Sequence, residues 1–320
     1  MTLKQLLKKL GPGFITGASD DDPSGIGTYA AAGAKFGFGQ LWTPLFTFPL
    51  MTAVQEMCAR IGMVTGRGLA GVIRQHYAKW LLYGCVVLLV LANTINIGAD
   101  IGAMAAAMGL LVGDTPFAFI AGGLTILIIA LEVFVPYHVY AKILRVLAFS
   151  LLAYWLAGLT LHLDWREVLS HLAIPRWQSD FDYLLILVGV LGTTISPYLF
   201  FWQASEEVEE EVDQGRVTII SRQGATRGEI HDMRQDVTIG MLFSNITMFF
   251  ILLVSGATLF ANGITDIQTA EQAAMALAPF AGHNAFLLFT LGIIGTGLLG
   301  IPVLAGSASY ALSEALKLKG

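Results

Sequence analysis

Apolar residues in this chain come in long, nearly unbroken runs rather than in the alternation of a strand or the one-sided stripe of a soluble helix. Eight runs stand out, at about 11–34, 39–63, 81–109, 116–135, 143–162, 183–204, 236–260 and 284–312. As helices of roughly 20 residues, each is long enough to cross a hydrocarbon layer of about 30 Å. The pattern predicts an all-α fold, a polytopic transmembrane helical bundle forming one domain over 1–320. A polar connection falls at 205–235, and the segment 261–283 is expected to carry a short amphipathic helix. The short alternating segments of a membrane β-barrel do not appear.

Two runs half a chain apart are interrupted in the same way. The first contains Ser19-Asp20-Asp21-Asp22-Pro23-Ser24-Gly25, the sixth Thr193-Thr194-Ile195-Ser196-Pro197-Tyr198. Proline lacks an amide hydrogen and pushes the preceding residue out of the α region, so both helices should open, near 20–24 and 193–197. Opening leaves carbonyls such as those of Ser19 and Thr193 without intrahelical partners. A charged side chain at mid-bilayer costs several kcal/mol, and three consecutive Asp some ten residues into a span point to function. Paired broken helices in corresponding halves are the sequence mark of a midplane binding site in inverted-repeat transporters. Asp20, Asp21 and Asp22, the close-approach position Gly25, and Thr193, Ser196 and Tyr198 make an oxygen-rich candidate metal site. It suits hard cations such as Mg²⁺, Mn²⁺ or Ca²⁺. No Met, Cys or His lies at either break.

Composition agrees with the pattern. With 55 % hydrophobic and 13 % charged residues and a mean hydropathy of +0.69, a pair of soluble domains is excluded. The 35 Gly and 10 Pro are tolerated where neighbouring membrane helices satisfy the freed backbone groups. The net charge of −5 gives no sign of nucleic-acid binding, because much of the acid sits in one run, Glu206, Glu207, Glu209, Glu210 and Glu211. That run is expected to form a solvated helix end on the cytoplasmic side, with an exit vestibule that attracts divalent cations as the alternative. Cys58 and Cys85 fall within apolar spans, so no disulfide framework is expected.

Basic residues set the orientation. With both termini cytoplasmic, fifteen Lys and Arg fall inside, among them Lys4, Lys8, Lys9, Arg67, Arg74, Arg222 and Lys319, against Lys35, Arg166 and Arg176 outside. This is a strong positive-inside bias and predicts a multi-pass protein of the cell membrane, with the lipid bilayer as its surroundings. Three further polar residues are candidates for a pathway. Asp100 lies beside Asn93, Asn96, Gly98 and Gly102 and should face the bundle. Glu56 precedes Arg60 by four residues, where an ion pair competes with a transport role.

At these residues the chain resembles the natural resistance-associated macrophage protein (Nramp) divalent-metal transporters, over nearly its whole length. The resemblance rests on Asp22-Pro23-Ser24-Gly25, on Ala59-Arg60-Ile61-Gly62-Met63-Val64-Thr65-Gly66 and on the sixth-span break. It implies a LeuT-like inverted repeat of five plus five helices with helices 1 and 6 discontinuous. It also implies Asp22 as principal ligand and Thr193 as the source of a backbone carbonyl. Only eight spans are countable, which suggests a fragment. The family's Asn falls on Gly25, its Met on Ser196, its His on Tyr198, and its acidic third-span pair on Asn96 and Ala99. The Nramp-related magnesium transporters share this kind of departure, and the sequence resembles that branch more closely. The expected function is a secondary transporter or facilitator of partly hydrated Mg²⁺ or Mn²⁺, working by alternating access. It is not an enzyme and needs no cofactor, the metal being the transported substrate. A cation-coupled carrier of a small organic substrate is the alternative, disfavoured because three Asp would repel a carboxylate. An intramembrane Asp-dependent enzyme would need a second catalytic signature. The sequence leaves the oligomeric state open.

Overall fold

The computed structural model describes residues 11–318 apart from Asp114 and Pro136. The basic residues Lys4, Lys8, Lys9 and Lys319 counted for orientation therefore lie outside the described residues. The described chain is helical without strands. The first run opens into α1 (Pro12–Ser19) and α2 (Pro23–Phe36), followed by α3 (Thr43–Thr65) and the short α4 (Leu69–His76). Next come α5 (Lys79–Val112), α6 (Phe117–Phe134), α7 (Tyr137–Ala148), α8 (Leu152–Leu159) and α9 (Trp165–Ala173). The sixth run opens into α10 (Phe181–Thr194) and α11 (Pro197–Asp213), and α12 (Arg227–Thr258) and α13 (Ala270–Leu316) follow.

Among the described residues six helices are long and apolar enough to cross a membrane: Lys79–Val112, Phe117–Phe134, Lys142–Leu159, Phe181–Asp213, Arg227–Asn262 and Phe286–Leu316. The other two expected spans differ for identifiable reasons. The break divides the first into pieces of 8 and 14 residues. The second, α3, has 23 residues, but Gln55, Glu56 and Arg60 lower its apolarity. The polar connection is shorter than 205–235, because α11 runs on to Asp213 and α12 begins at Arg227. Thr226 and Glu229 form a capping box there, each side chain satisfying the other's backbone amide. No separate short α-helix occupies 261–283; one 3-10 turn, Phe260–Asn262, opens the segment. Thr269 caps Gln272 (3.4 Å) and α13 starts at once, continuing for 47 residues.

The two broken helices lie inside a cage. α12 packs against α1, α2, α3 and α8, and α13 runs along α5 while touching α2, α8 and α11. α10 packs on α2, and α11 on α3. Small residues set the closest approach, as expected where lipid supplies no hydrophobic drive between helices. A methyl group on Gly17 would lie 2.2 Å from the Gly240 carbonyl oxygen, and one on Gly33 2.6 Å from that of Leu252. Both halves of the first broken helix are thus fastened to α12. The outward faces of α5 and α6 carry exposed Trp80, Leu88, Ile95, Phe119, Ile126 and Phe134, a lipid-facing surface.

Candidate metal site at the crossing of two broken helices

The first helix ends at Ser19 and resumes at Pro23; the second ends at Thr194 and resumes at Pro197. Both restarts have proline in the first turn, where its missing amide hydrogen costs nothing. Asp22 is the N-cap of α2. Its Oδ1 accepts the Gly25 amide (2.7 Å) and the Ser24 hydroxyl (2.6 Å). The expected opening near 20–24 is therefore a three-residue gap, Asp20 to Asp22, with Ser24 already helical.

The second break meets the first directly. Tyr198 donates its hydroxyl hydrogen to the Ser19 carbonyl (2.9 Å), and its oxygen lies 3.4 Å from Asp22 Oδ2. Tyr29 and Thr194 hydroxyls join at 3.0 Å. Gly25 stands where the breaks meet, since a methyl group there would lie 3.1 Å from the Asp20 carbonyl and 3.3 Å from Thr193 Oγ1. Any larger residue would push the two apart. From α5, Asp100 accepts the Ser24 amide through Oδ1 (3.0 Å), while its other oxygen is buried without a partner. Asp100 thus faces the bundle as the sequence suggested.

Not every expected ligand converges. Asp20, Asp21 and Asp22 are all buried, but consecutive residues at a helix end point in different directions. Asp20 Oδ2 accepts the Ser244 hydroxyl of α12 (2.9 Å), and the same Ser244 lies beside Asp21, whose carboxylate makes no hydrogen bond of good geometry. Among the described residues no three His, Cys, Asp or Glu come together as a ready metal cage. A dication at this crossing would draw on Asp22 and uncharged oxygens. The Thr193 carbonyl freed by Pro197 is not bare, because Ser196 donates to it (2.7 Å) and to that of Gly192 (2.9 Å). Binding through that carbonyl would require Ser196 to turn away.

Ser196, Pro197 and Tyr198 also line a cavity of about 560 Å³ with Asn93, Asn96, Leu69 and Ile73. It connects the second break to α4, which carries Arg74. Asn96 therefore lines the cavity that opens beside the second break. Glu56 does not: Arg60 (2.5 Å) and Arg234 (2.7 Å) hold its carboxylate at the end of α3.

The acidic run is not the solvated helix end expected. Glu206, Glu207 and Glu211 are buried, because α11 packs on α3 along this stretch. Glu207, Glu210 and Glu211 line a second cavity, of about 260 Å³, with Glu229, Asp232 and Asp236. Asp236 accepts the amides of Gly11 (2.8 Å) and Gly13 (2.7 Å), so the cavity lies at the start of α1. α1 is about 12 Å long at 1.5 Å per residue, and it separates this acidic chamber from the break. Sequence reasoning missed Ser244 and Asp236. Both lie on α12 more than 200 residues from their partners, and only the 3.6-residue period of polar positions along α12 hinted at an inward polar stripe.

Two unwound helices crossing at a buried carboxylate, inside an otherwise apolar helical bundle, define a membrane protein of the LeuT-like transporter architecture. The chain belongs to the Nramp family: the pattern for natural resistance-associated macrophage protein-like proteins matches residues 13–320. The divalent metal cation transporter MntH of Klebsiella pneumoniae is 27 % identical over 301 residues, covering 92 % of this chain and 69 % of that protein. MntH of Caldanaerobacter subterraneus subsp. tengcongensis is 27 % identical over 310 residues, covering 92 % and 68 %. The Eremococcus coleocola manganese transporter, in a crystal structure with an aromatic bis-isothiourea substituted compound, has a similar fold. Its TM-score is 0.78 at 19 % identity, over 99 % of this chain and 67 % of that one.

Proposed function

We propose that this protein carries divalent cations, Mn²⁺ or Mg²⁺, across the cell membrane by alternating access, with both termini on the cytoplasmic side. The observation that carries the reading is the contact of the two breaks around Asp22, where Tyr198 reaches both Ser19 and the Asp22 carboxylate. The names of the relatives support a divalent metal, manganese among them. The metal set is Asp22 with the Ser19 and Thr193 carbonyls, the Ser196 and Tyr198 hydroxyls and retained waters, Gly25 leaving the space. Asp100 supplies a second negative charge beside it, and Asn96 lines the passage toward α4. Oxygen ligands with waters suit Mg²⁺, which dehydrates reluctantly, and also Mn²⁺. Asp20 and Asp21 stand outside this set.

The test is uptake by the full-length protein in proteoliposomes. Asp22→Asn should lower Mn²⁺ and Mg²⁺ uptake by on the order of a hundredfold, since it removes a buried charge-assisted contact of about 3 kcal/mol. Expression and melting should be unchanged or improved, because a buried charge is gone. Wild-type uptake rates in this variant would refute the assignment.

A further inference from the structure

α11 has cavities on both of its sides. Glu207, Glu210 and Glu211 turn to the acidic chamber, whereas Ser205, Val208, Glu209 and Val212, on the opposite face of the same helix, line another cavity of about 950 Å³. The rest of its wall comes from the start of α4, the connection 214–226 and the end of α13. Neither the metal site nor the acidic chamber uses it.

Four cations line this cavity: Arg67 just before α4, Arg74 on α4, Arg222 on the connection and Lys317 after α13. Against two carboxylates, Glu209 and Glu314, they leave an excess of two positive charges. Both carboxylates are engaged elsewhere. Glu314 accepts the amides of Gly68 (2.7 Å) and Gly71 (2.8 Å), and Glu209 bonds to Tyr310. None of the four cations forms an ion pair among the described residues. Arg222 donates through Nη1 to the Val217 carbonyl (3.2 Å), while its Nε is buried without a partner. Like charges gathered round one space repel each other, and a buried donor left unbonded is costly, so the cavity is built for an anion.

The remaining wall narrows the kind of anion. Val217, Ile219 and Leu318 are apolar and exposed, side by side with the cations. A small soluble anion gains nothing from them; an amphiphile does. Guanidinium groups match phosphate oxygens through paired hydrogen bonds, and basic pockets between helices at the cytoplasmic end of a membrane protein suit anionic lipid headgroups.

We propose that this cavity binds an anionic phospholipid of the cytoplasmic leaflet, its phosphate held by Arg67, Arg74, Arg222 and Lys317 and its glycerol and first acyl carbons resting on Val217, Ile219 and Leu318. The choice of leaflet rests on the cytoplasmic placement proposed above; the headgroup chemistry does not. Such a lipid joins α4, the 214–226 connection and α13 around α11. Its binding should therefore hold the far end of α11, which continues from the second break, in the arrangement described here.

The experiment is a thermal-shift titration of the full-length protein, in nonionic detergent without added metal, with dioctanoyl phosphatidylglycerol. Dioctanoyl phosphatidylcholine and inorganic phosphate are titrated beside it. Phosphatidylglycerol should raise the Tm saturably, and the other two should not. Arg222→Gln and Lys317→Gln should each raise its apparent Kd by about tenfold, and Ile219→Ser should weaken it as well, whereas Arg166→Gln on α9 should change nothing. Should Arg222→Gln fail to fold, Lys317→Gln and Ile219→Ser, both at exposed positions, carry the test. Equal shifts from phosphatidylglycerol and phosphatidylcholine overturn the proposal, as does a shift that survives all three substitutions. A shift from inorganic phosphate as large as that from the lipid identifies a free-phosphate site and overturns the lipid assignment. Asp22→Asn should keep the phosphatidylglycerol response, so a failure of the metal assignment and a failure of this one are read separately.

Discussion

Ser196 shows how a single side chain can shape the choice of metal. Its hydroxyl sits on the Gly192 and Thr193 carbonyls at the second break, and it is small enough to leave space for water. Two sulfurs are near without being in the site. Met104 packs against Gly297 in an apolar cluster with Leu124 and Ile301, and Met248 lies 3.8 Å from Thr194 Oγ1. Ser196→Met should therefore raise Cd²⁺ affinity by about tenfold and lower Mg²⁺ uptake by a similar factor. It adds a soft ligand and fills the water space. Titration calorimetry with Cd²⁺ and Mg²⁺ uptake in proteoliposomes check this; tighter Cd²⁺ than Mg²⁺ binding already in the wild type would overturn the oxygen-only site. At this scale the sequence was legible where chemistry is local. Pro23 and Pro197 fix the breaks, and Asp22 caps α2 because Asp before an N1 proline has few other conformations. The partner that holds Asp20 away from Asp22 was not legible, because it is Ser244, far along the chain.

At the level of elements the decisive contact is α1 on α12. Gly17 and Gly240 bring the two backbones together, and a methyl group on Gly240 would lie 2.1 Å from the Gly13 carbonyl. Gly240→Leu should therefore displace α1. Overpacking of this kind costs some 1–3 kcal/mol or more, enough to lower the Tm by several degrees and abolish uptake, whereas Gly122→Leu on α6, with open space around it, should leave both near wild type. Melting curves and uptake for the pair separate the two cases. Helix existence and the two breaks could be read from periodicity and proline. The inward turn of Glu206, Glu207 and Glu211 could not, since the same run on a free helix end would be solvated. What buries it is the packing of α11 on α3, with Glu207 against Gly62.

For the molecule as a whole, the charge bias is a statement about orientation that labelling can check. The stretch 214–226, with Arg216 bound to Glu211 (3.1 Å) and to Glu229, should face the cytoplasm, and Asp164 at the start of α9 the outside. In a background lacking Cys58 and Cys85, a cysteine at the exposed Gln223 should react with a membrane-impermeant maleimide only in inside-out vesicles. One at the exposed Asp164 should react only in right-side-out vesicles. The opposite pattern would overturn the cytoplasmic placement of the termini.

The fastening of α1 and α2 to α12 bears on how such a machine can move. A broken rod bound on both sides of the fracture to one unbroken rod is splinted, and Gly17 and Gly33 are the two bindings. The fracture at Asp20 to Asp22 is then a fixed corner: it keeps its angle as long as α12 stays straight, and α12 holds its helix for 32 residues. The second fracture carries no such double binding. Gly192, one turn before it, has open space beside it, and α10 and α11 lean on different partners, α2 and α3. If the bundle moves in transport as proposed, Ile195 and Ser196 are the joint expected to bend, while the corner bearing Asp22 stays held against α12.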